Sequence, residues 1–128
     1  MSISIKKEIE KIKNVKGSEK IQFIILYGSA AKETMKESSD IDLCVYYDGT
    51  PEEASKFRLN ALAELFYDKY DLQIFQQLPL YLRKDVLKGK IVYARNIEYV
   101  YRIAIKTMRE FEEFKHRFYD YIGERAIS

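Results

Sequence analysis

Cysteine and histidine each occur once in the 128 residues, as Cys44 and His116. An internal disulfide is therefore excluded, and neither a histidine-based metal cluster nor a Ser-His-Asp triad can be assembled around one imidazole. Zinc chemistry is not expected. Two prolines and five glycines leave little room for linkers, and no repeat or low-complexity segment is present. Charge of either sign is nearly balanced, 22 basic against 20 acidic residues for a net +2. That bias is too weak to argue for nucleic acid or an anionic membrane as partner. The longest apolar stretches are strand-sized, far short of the roughly 20 residues that span a bilayer. The N-terminus alternates lysine and glutamate with isoleucine and lacks the apolar core of a signal peptide. A cytoplasmic location without membrane insertion is expected.

Against these absences, 47% hydrophobic and 33% charged residues describe a globular chain of the size of one ordinary domain. A single domain over 1–128 is expected, with a core at about 18–95 and a C-terminal helix at about 96–124. Ile5, Ile9, Ile12 and Val15 recur at helical spacing until Gly17 and Ser18. The apolar, β-branched run Ile21–Tyr27 reads as a strand buried on both sides and ended by Gly28. Ile41–Tyr47 reads as a second strand. Thr50, Pro51 and Glu53 combine an N-cap, a first-turn proline and a capping-box glutamate, so a helix runs from there to about Tyr67. Its buried stripe is Ala54, Phe57, Ala61, Leu62 and Leu65. A third strand is expected at Asp71–Phe75, a short helix after Pro79 with Leu82, Val86 and Leu87 inward, and a brief fourth strand at Ile91–Ala94. Asn96 can cap a last helix of about 40 Å, whose apolar positions are Tyr101, Ala104, Met108, Phe111, Phe118 and Ile122 until Gly123. The order predicts an α+β protein, a mixed sheet of about four strands with helices packed on it.

The segment between Leu26 and Leu43 carries the chemistry. Gly28-Ser29 ends one apolar run, ten residues follow, and Asp40-Ile41-Asp42 opens another. Residues two apart on a strand share a face, so Asp40 and Asp42 present two carboxylates together while Ile41 and Leu43 enter the core. Two such carboxylates repel unless a cation lies between them, and magnesium takes oxygen ligands while keeping positions open for phosphates. Gly28 allows a tight turn and close backbone approach to a phosphate, and Ser29 offers a hydroxyl and an N–H. A helix starting near Ala30 would add its N-terminal dipole. Either half alone is more simply a turn or a solvated strand end; joined by a segment of this length, they point to a metal–nucleotide site. Cys44, inward beside Asp42, reads as a buried inert thiol.

Gly28, Ser29, Asp40 and Asp42 resemble the Gly-Ser, ten residues, Asp-x-Asp signature of the minimal nucleotidyltransferases in the DNA polymerase β-like superfamily. The likeness covers about Ile21 to Ala94, because Tyr70 to Tyr93 is similar to the family's acidic strand, proline-led helix and glycine before a short strand. It implies the polymerase β palm-like nucleotidyltransferase fold and a two-metal transfer, with Asp40, Asp42 and a third carboxylate holding Mg²⁺ ions and ATP as the nucleotide. Asp71 is the matching third position. In another strand register Gln73 would face the site with Asp71, whereas Asp68 is a loop residue. Many relatives carry an arginine and a glycine after the serine, where Lys32 and Glu33 stand here; Lys32 is either a phosphate contact or a solvated helix residue.

Minimal nucleotidyltransferases are commonly paired with HEPN-domain toxins, and the antitoxin branch that this chain resembles transfers AMP to a toxin tyrosine. The resemblance thus implies a protein adenylyltransferase antitoxin whose acceptor is brought by a HEPN partner. The chain shows no basic, aromatic-laced stripe for RNA or DNA. Arg109 followed by His116 has the spacing of the HEPN ribonuclease motif, which chance explains better than function. The aromatic excess of the last helix, from Tyr99 to Tyr121, fits either an interface with that partner, homodimerisation, or packing on the sheet. Two alternatives stand beside this reading: a non-catalytic binding antitoxin with a vestigial nucleotide site, and a small-molecule nucleotidyltransferase of the aminoglycoside-modifying kind.

Overall fold

The computed structural model describes residues 5–28, 41–65 and 70–127, with side chains to residue 123. Four strands, β1 (Ile21–Tyr27), β2 (Ile41–Tyr47), β3 (Tyr70–Ile74) and β4 (Lys90–Ala94), form one sheet in the order β3-β2-β1-β4. β1 runs antiparallel to β2 and β4, whereas β2 and β3 are parallel. A parallel pair needs a crossover, and α2 (Pro51–Leu65) lies within it. The other α-helices among the described residues are α1 (Lys6–Lys13), α3 (Leu80–Val86) and α4 (Ile97–Ile127).

Period-two alternation divides the core between the faces of the sheet. On the first face Ile24 and Leu26 of β1, Ile41, Leu43 and Val45 of β2, and Leu72 and Ile74 of β3 pack with α1 and α2. Ile9 and Ile12 represent α1 there, and Ala54, Phe57, Ala61 and Leu65 represent α2, with Leu62 partly buried beside them. A bulge at Gln22, where Ile21 and Phe23 face the consecutive partners Tyr47 and Tyr46, lets Ile21 rejoin this face three residues before Ile24. The second face holds Phe23, Ile25, Cys44 and Phe75 under Val86 of α3 and Val100 of α4. Stacked and edge-on rings of Phe23, Tyr46, Phe75 and Tyr99 join sheet to helix there.

The helix signals operate as the residues dictate. The Thr50 hydroxyl accepts from the Glu53 N–H, and the Glu53 carboxylate accepts from the Thr50 N–H, both at 3.1 Å. Asn96 caps α4 through its side-chain oxygen, which accepts from the Glu98 N–H at 3.0 Å. Some expectations are corrected. β3 begins at Tyr70, and Phe75 belongs to a short 3₁₀ turn. The described part of α2 ends at Leu65, and Tyr67 lies outside the described residues. α4 passes through Gly123 to Ile127, because one solvent-facing glycine costs a helix only about 1 kcal/mol. Its inward stripe is Val100 and Thr107 with Ile103 packed alongside, so Tyr101, Met108, Phe118 and Ile122 are exposed. The reason is docking: α4 meets α3, where Arg83 pairs with Glu110 and the Lys84 ammonium lies 4.3 Å from the Phe111 ring centre. The aromatics beyond that contact lie outside the buried core.

Among the described residues no helix is long and apolar enough to cross a membrane.

Candidate active site

Asp42, on the central strand β2, faces the second side of the sheet while its neighbours Ile41 and Leu43 are buried on the first. Pairing sets what flanks it. Tyr27 is its partner on antiparallel β1, and Asp71 is its partner on parallel β3. Adjacent strands lie about 4.8 Å apart, so the carboxylates of Asp42 and Asp71 stand side by side on one face. Of the expected site residues, Gly28, Asp42 and Asp71 are thereby brought together; Ser29, Lys32, Asp40 and the helix expected near Ala30 lie outside the described residues.

Gly28 follows the end of β1 with φ +74°, in the left-handed region that favours glycine. A side chain there would place its Cβ 2.6 Å from Asp42 Oδ2. The turn is folded against the carboxylate, and only hydrogen fits between them. This close approach is the physical content of the glycine in the motif.

Asp71 is held from two directions. Gln73, two residues on and on the same face, donates through Nε2 to both Asp71 carboxylate oxygens at 3.1 Å. Arg58 reaches from α2 to this edge strand: its Nε donates to the Leu72 carbonyl at 2.6 Å, and Nη2 stands 3.9 Å from Asp71 Oδ1. The Asp71 side chain remains 42% exposed. Gln73 therefore faces the site together with Asp71. Arg58 escaped the sequence reading, because nothing in its spacing links it to a strand thirteen residues later. Tyr27 also escaped it, although alternation from Phe23 and Ile25 places it on this face.

Burial pushes the Tyr27 phenol well above its ordinary range, assisted by Cys44, Asp42 and Asp71. The ring stays neutral, a hydrogen-bond donor rather than a nucleophile. Cys44 is buried as expected, and burial pushes its thiol up. His116 is exposed on α4, 4.0 Å from Asp120.

Two adjacent carboxylates with all-oxygen donors, one of them open to solvent, suit a hard cation such as Mg²⁺. Among the described residues no group of three metal-binding side chains occurs, so a third ligand would have to come from outside them.

A model of the polymerase β nucleotidyltransferase family matches residues 9–98. A Methanocaldococcus jannaschii protein named as a protein adenylyltransferase, MJ1547, is 35% identical over 80 residues, which cover 62% of this chain and 61% of that protein. The match therefore spans less than two thirds of its length. Among solved structures, a toxin–antitoxin with AMP-PNP superposes with a TM-score of 0.73 at 21% identity, covering 92% of this chain and 95% of that one. An MntA–HpeT toxin–antitoxin mutant gives 0.75 at 19% identity, with 95% and 98% covered. A tri-AMPylated Shewanella oneidensis HEPN toxin in complex with an MNT antitoxin gives 0.64 at 19%, with 92% of each chain covered. At these identities the likenesses establish the fold.

Proposed function

The chain belongs to the polymerase β nucleotidyltransferase family, and on that premise we propose that it transfers AMP from ATP to a tyrosine hydroxyl of a HEPN toxin, as a Mg²⁺-dependent protein adenylyltransferase and antitoxin. The observation that carries the reading is the pairing of Asp42 with Asp71 beneath a turn whose glycine touches the Asp42 carboxylate. The name of the archaeal relative and the neighbours crystallised with AMP-PNP or with an AMPylated HEPN toxin support it.

In this reading Gly28 and Ser29 bind the triphosphate through the backbone and the hydroxyl, and Lys32 offsets charge on the β- and γ-phosphates. Asp40, Asp42 and Asp71 would hold the magnesium ions, whose positive charge, when bound, stabilises the charge developing on the attacking and departing oxygens. Asp71 also receives the proton of the acceptor hydroxyl. The hydroxyl oxygen then forms a bond to the α-phosphorus as the bond to pyrophosphate breaks, and pyrophosphate leaves. Gln73 and Arg58 keep the Asp71 carboxylate turned toward the site during this exchange.

The exposed aromatic residues toward the end of α4, among them Phe114 and Phe118, favour a second reading in which the chain neutralises its partner by contact alone. One experiment separates the two. The protein is incubated with ATP labelled at the α-phosphate, Mg²⁺ and the HEPN protein, and the reaction is repeated with Asp40→Asn and Asp42→Asn. Label on the HEPN protein that disappears in both variants is expected; neutralisation that survives both, without transfer, would replace catalysis by binding.

A further inference from the structure

A cavity of about 420 Å³ opens beside Gly28, between the end of β1 and α3. Its size lies within the roughly 300–1,000 Å³ of small-molecule sites. Tyr27, Leu78, Leu82 and Val86 line it together with Asp85 and Lys88. Gly89 determines how closely the end of α3 approaches the strand: a side chain there would collide with the Leu26 carbonyl oxygen. The ring of Tyr27 and the aliphatic side chains of Leu78 and Leu82 form the apolar part of the wall. Asp85 and Lys88, paired at 3.9 Å, add one acceptor and one donor to the lining.

We propose that this cavity holds the nucleoside of the nucleotide substrate, its base lying against Tyr27 between Leu78 and Leu82. The inference rests on the reading of the chain as a nucleotidyltransferase, and it adds the residues that grip the base. Sheet order decides between the two planar groups that the reaction involves, the base and the acceptor phenol. The cavity flanks β1, Asp42 lies on β2 and Asp71 on β3. A hydroxyl that gives its proton to Asp71 therefore enters from the β3 side, two strands away from the cavity. The phosphates, by contrast, turn at Gly28, which is itself part of the cavity wall. A nucleoside tethered to those phosphates can reach the cavity without crossing the path of the acceptor. Stacking on Tyr27 and burial between two leucines suit any planar base, and the Asp85–Lys88 pair would meet its polar edge or the ribose hydroxyls.

Leu82→Trp tests the assignment. Leu82 is 37% exposed, so a larger ring can occupy the cavity without disturbing the core. The wild-type protein and the variant are titrated calorimetrically, in Mg²⁺, with ATP and with inorganic triphosphate. The expected result is a loss of about tenfold or more in ATP affinity, near 1.4 kcal/mol, with triphosphate affinity unchanged within about twofold. Unchanged ATP affinity, or equal weakening of both ligands, overturns the cavity as the nucleoside site while leaving nucleotide binding intact. A wild-type protein that binds neither ligand overturns the nucleotidyltransferase reading and this inference together.

Discussion

Gly28→Ala separates the geometry of the site from the stability of the fold. The residue sits at φ +74°, and the left-handed conformation costs an L-residue about 1–2 kcal/mol. The added Cβ would also meet Asp42 Oδ2 at 2.6 Å. The atom it strikes is the end of a rotatable side chain, so the carboxylate rather than the backbone gives way. Its position, however, cannot be kept. A displacement of about 1 Å in a reacting or ligating group lowers rates by about 100-fold, so transfer should fall by that order although the protein stays folded. Gly17→Ala is the control. That residue has φ +93°, and its Cβ would stand 2.7 Å from the Tyr47 hydroxyl oxygen. Tyr47 is anchored, donating to the Gly17 carbonyl at 3.0 Å and stacking on Phe57 at 4.9 Å. The control should therefore lose at least as much stability while leaving Asp42 in place. Urea unfolding gives the two stabilities, and nucleotidyl transfer per folded molecule gives the two activities. If Gly28→Ala transfers as well as Gly17→Ala, the approach of the turn to Asp42 has no catalytic importance and the reasoning fails.

Acid stability reports on Glu53. The hydrogen bond from Lys20 at 2.5 Å, followed by those from Thr50, holds its carboxyl at about 2 against a usual 4.5. A group whose folded pKa is depressed stabilises fully above its unfolded pKa and loses that contribution as pH falls through the folded value. Urea midpoints measured from about pH 5 down to about pH 2 should therefore fall less steeply in Glu53→Gln, and salt should shrink the difference because both partners are exposed. Parallel slopes would show that the pair does not contribute. Cys44, fully buried with its thiol pushed up, should react with a disulfide reagent about 100-fold more slowly in native protein than in denaturant; equal rates would mean that the strand opens readily. Phe114 and Phe118 are 54% and 50% exposed and stack on each other at 6.2 Å between centroids. Replacing both with serine should change stability by no more than about 1 kcal/mol and weaken capture of the HEPN protein in a pull-down. A large drop in melting temperature would show instead that the helix end packs on its own chain.

Features encoded by neighbouring residues can be read without the structure. Thr50 with Glu53 and Asn96 with Glu98 each carry their partner within a few positions, Gly28 directly follows its apolar strand, and all three act as their chemistry requires. The face of Asp42 follows from its buried neighbours Ile41 and Leu43. The phase of α4 does not follow in this way, because aromatic residues lie on several of its faces and more than one helical stripe fits them. Docking against α3 selects Val100 and Thr107, a contact that no local pattern encodes. Asp71 shows the same limit at the site itself. Alternation puts it on one face with Gln73, but nothing within β3 states that it will stand opposite Asp42, which is 29 positions earlier. That register comes from the crossover through α2, and the same helix delivers Arg58 to the edge of the site. The length of α2 therefore bears on the chemistry as well as on packing. A change that shifted β3 by one residue would turn Asp71 inward and bring a buried apolar side chain to the face beside Asp42.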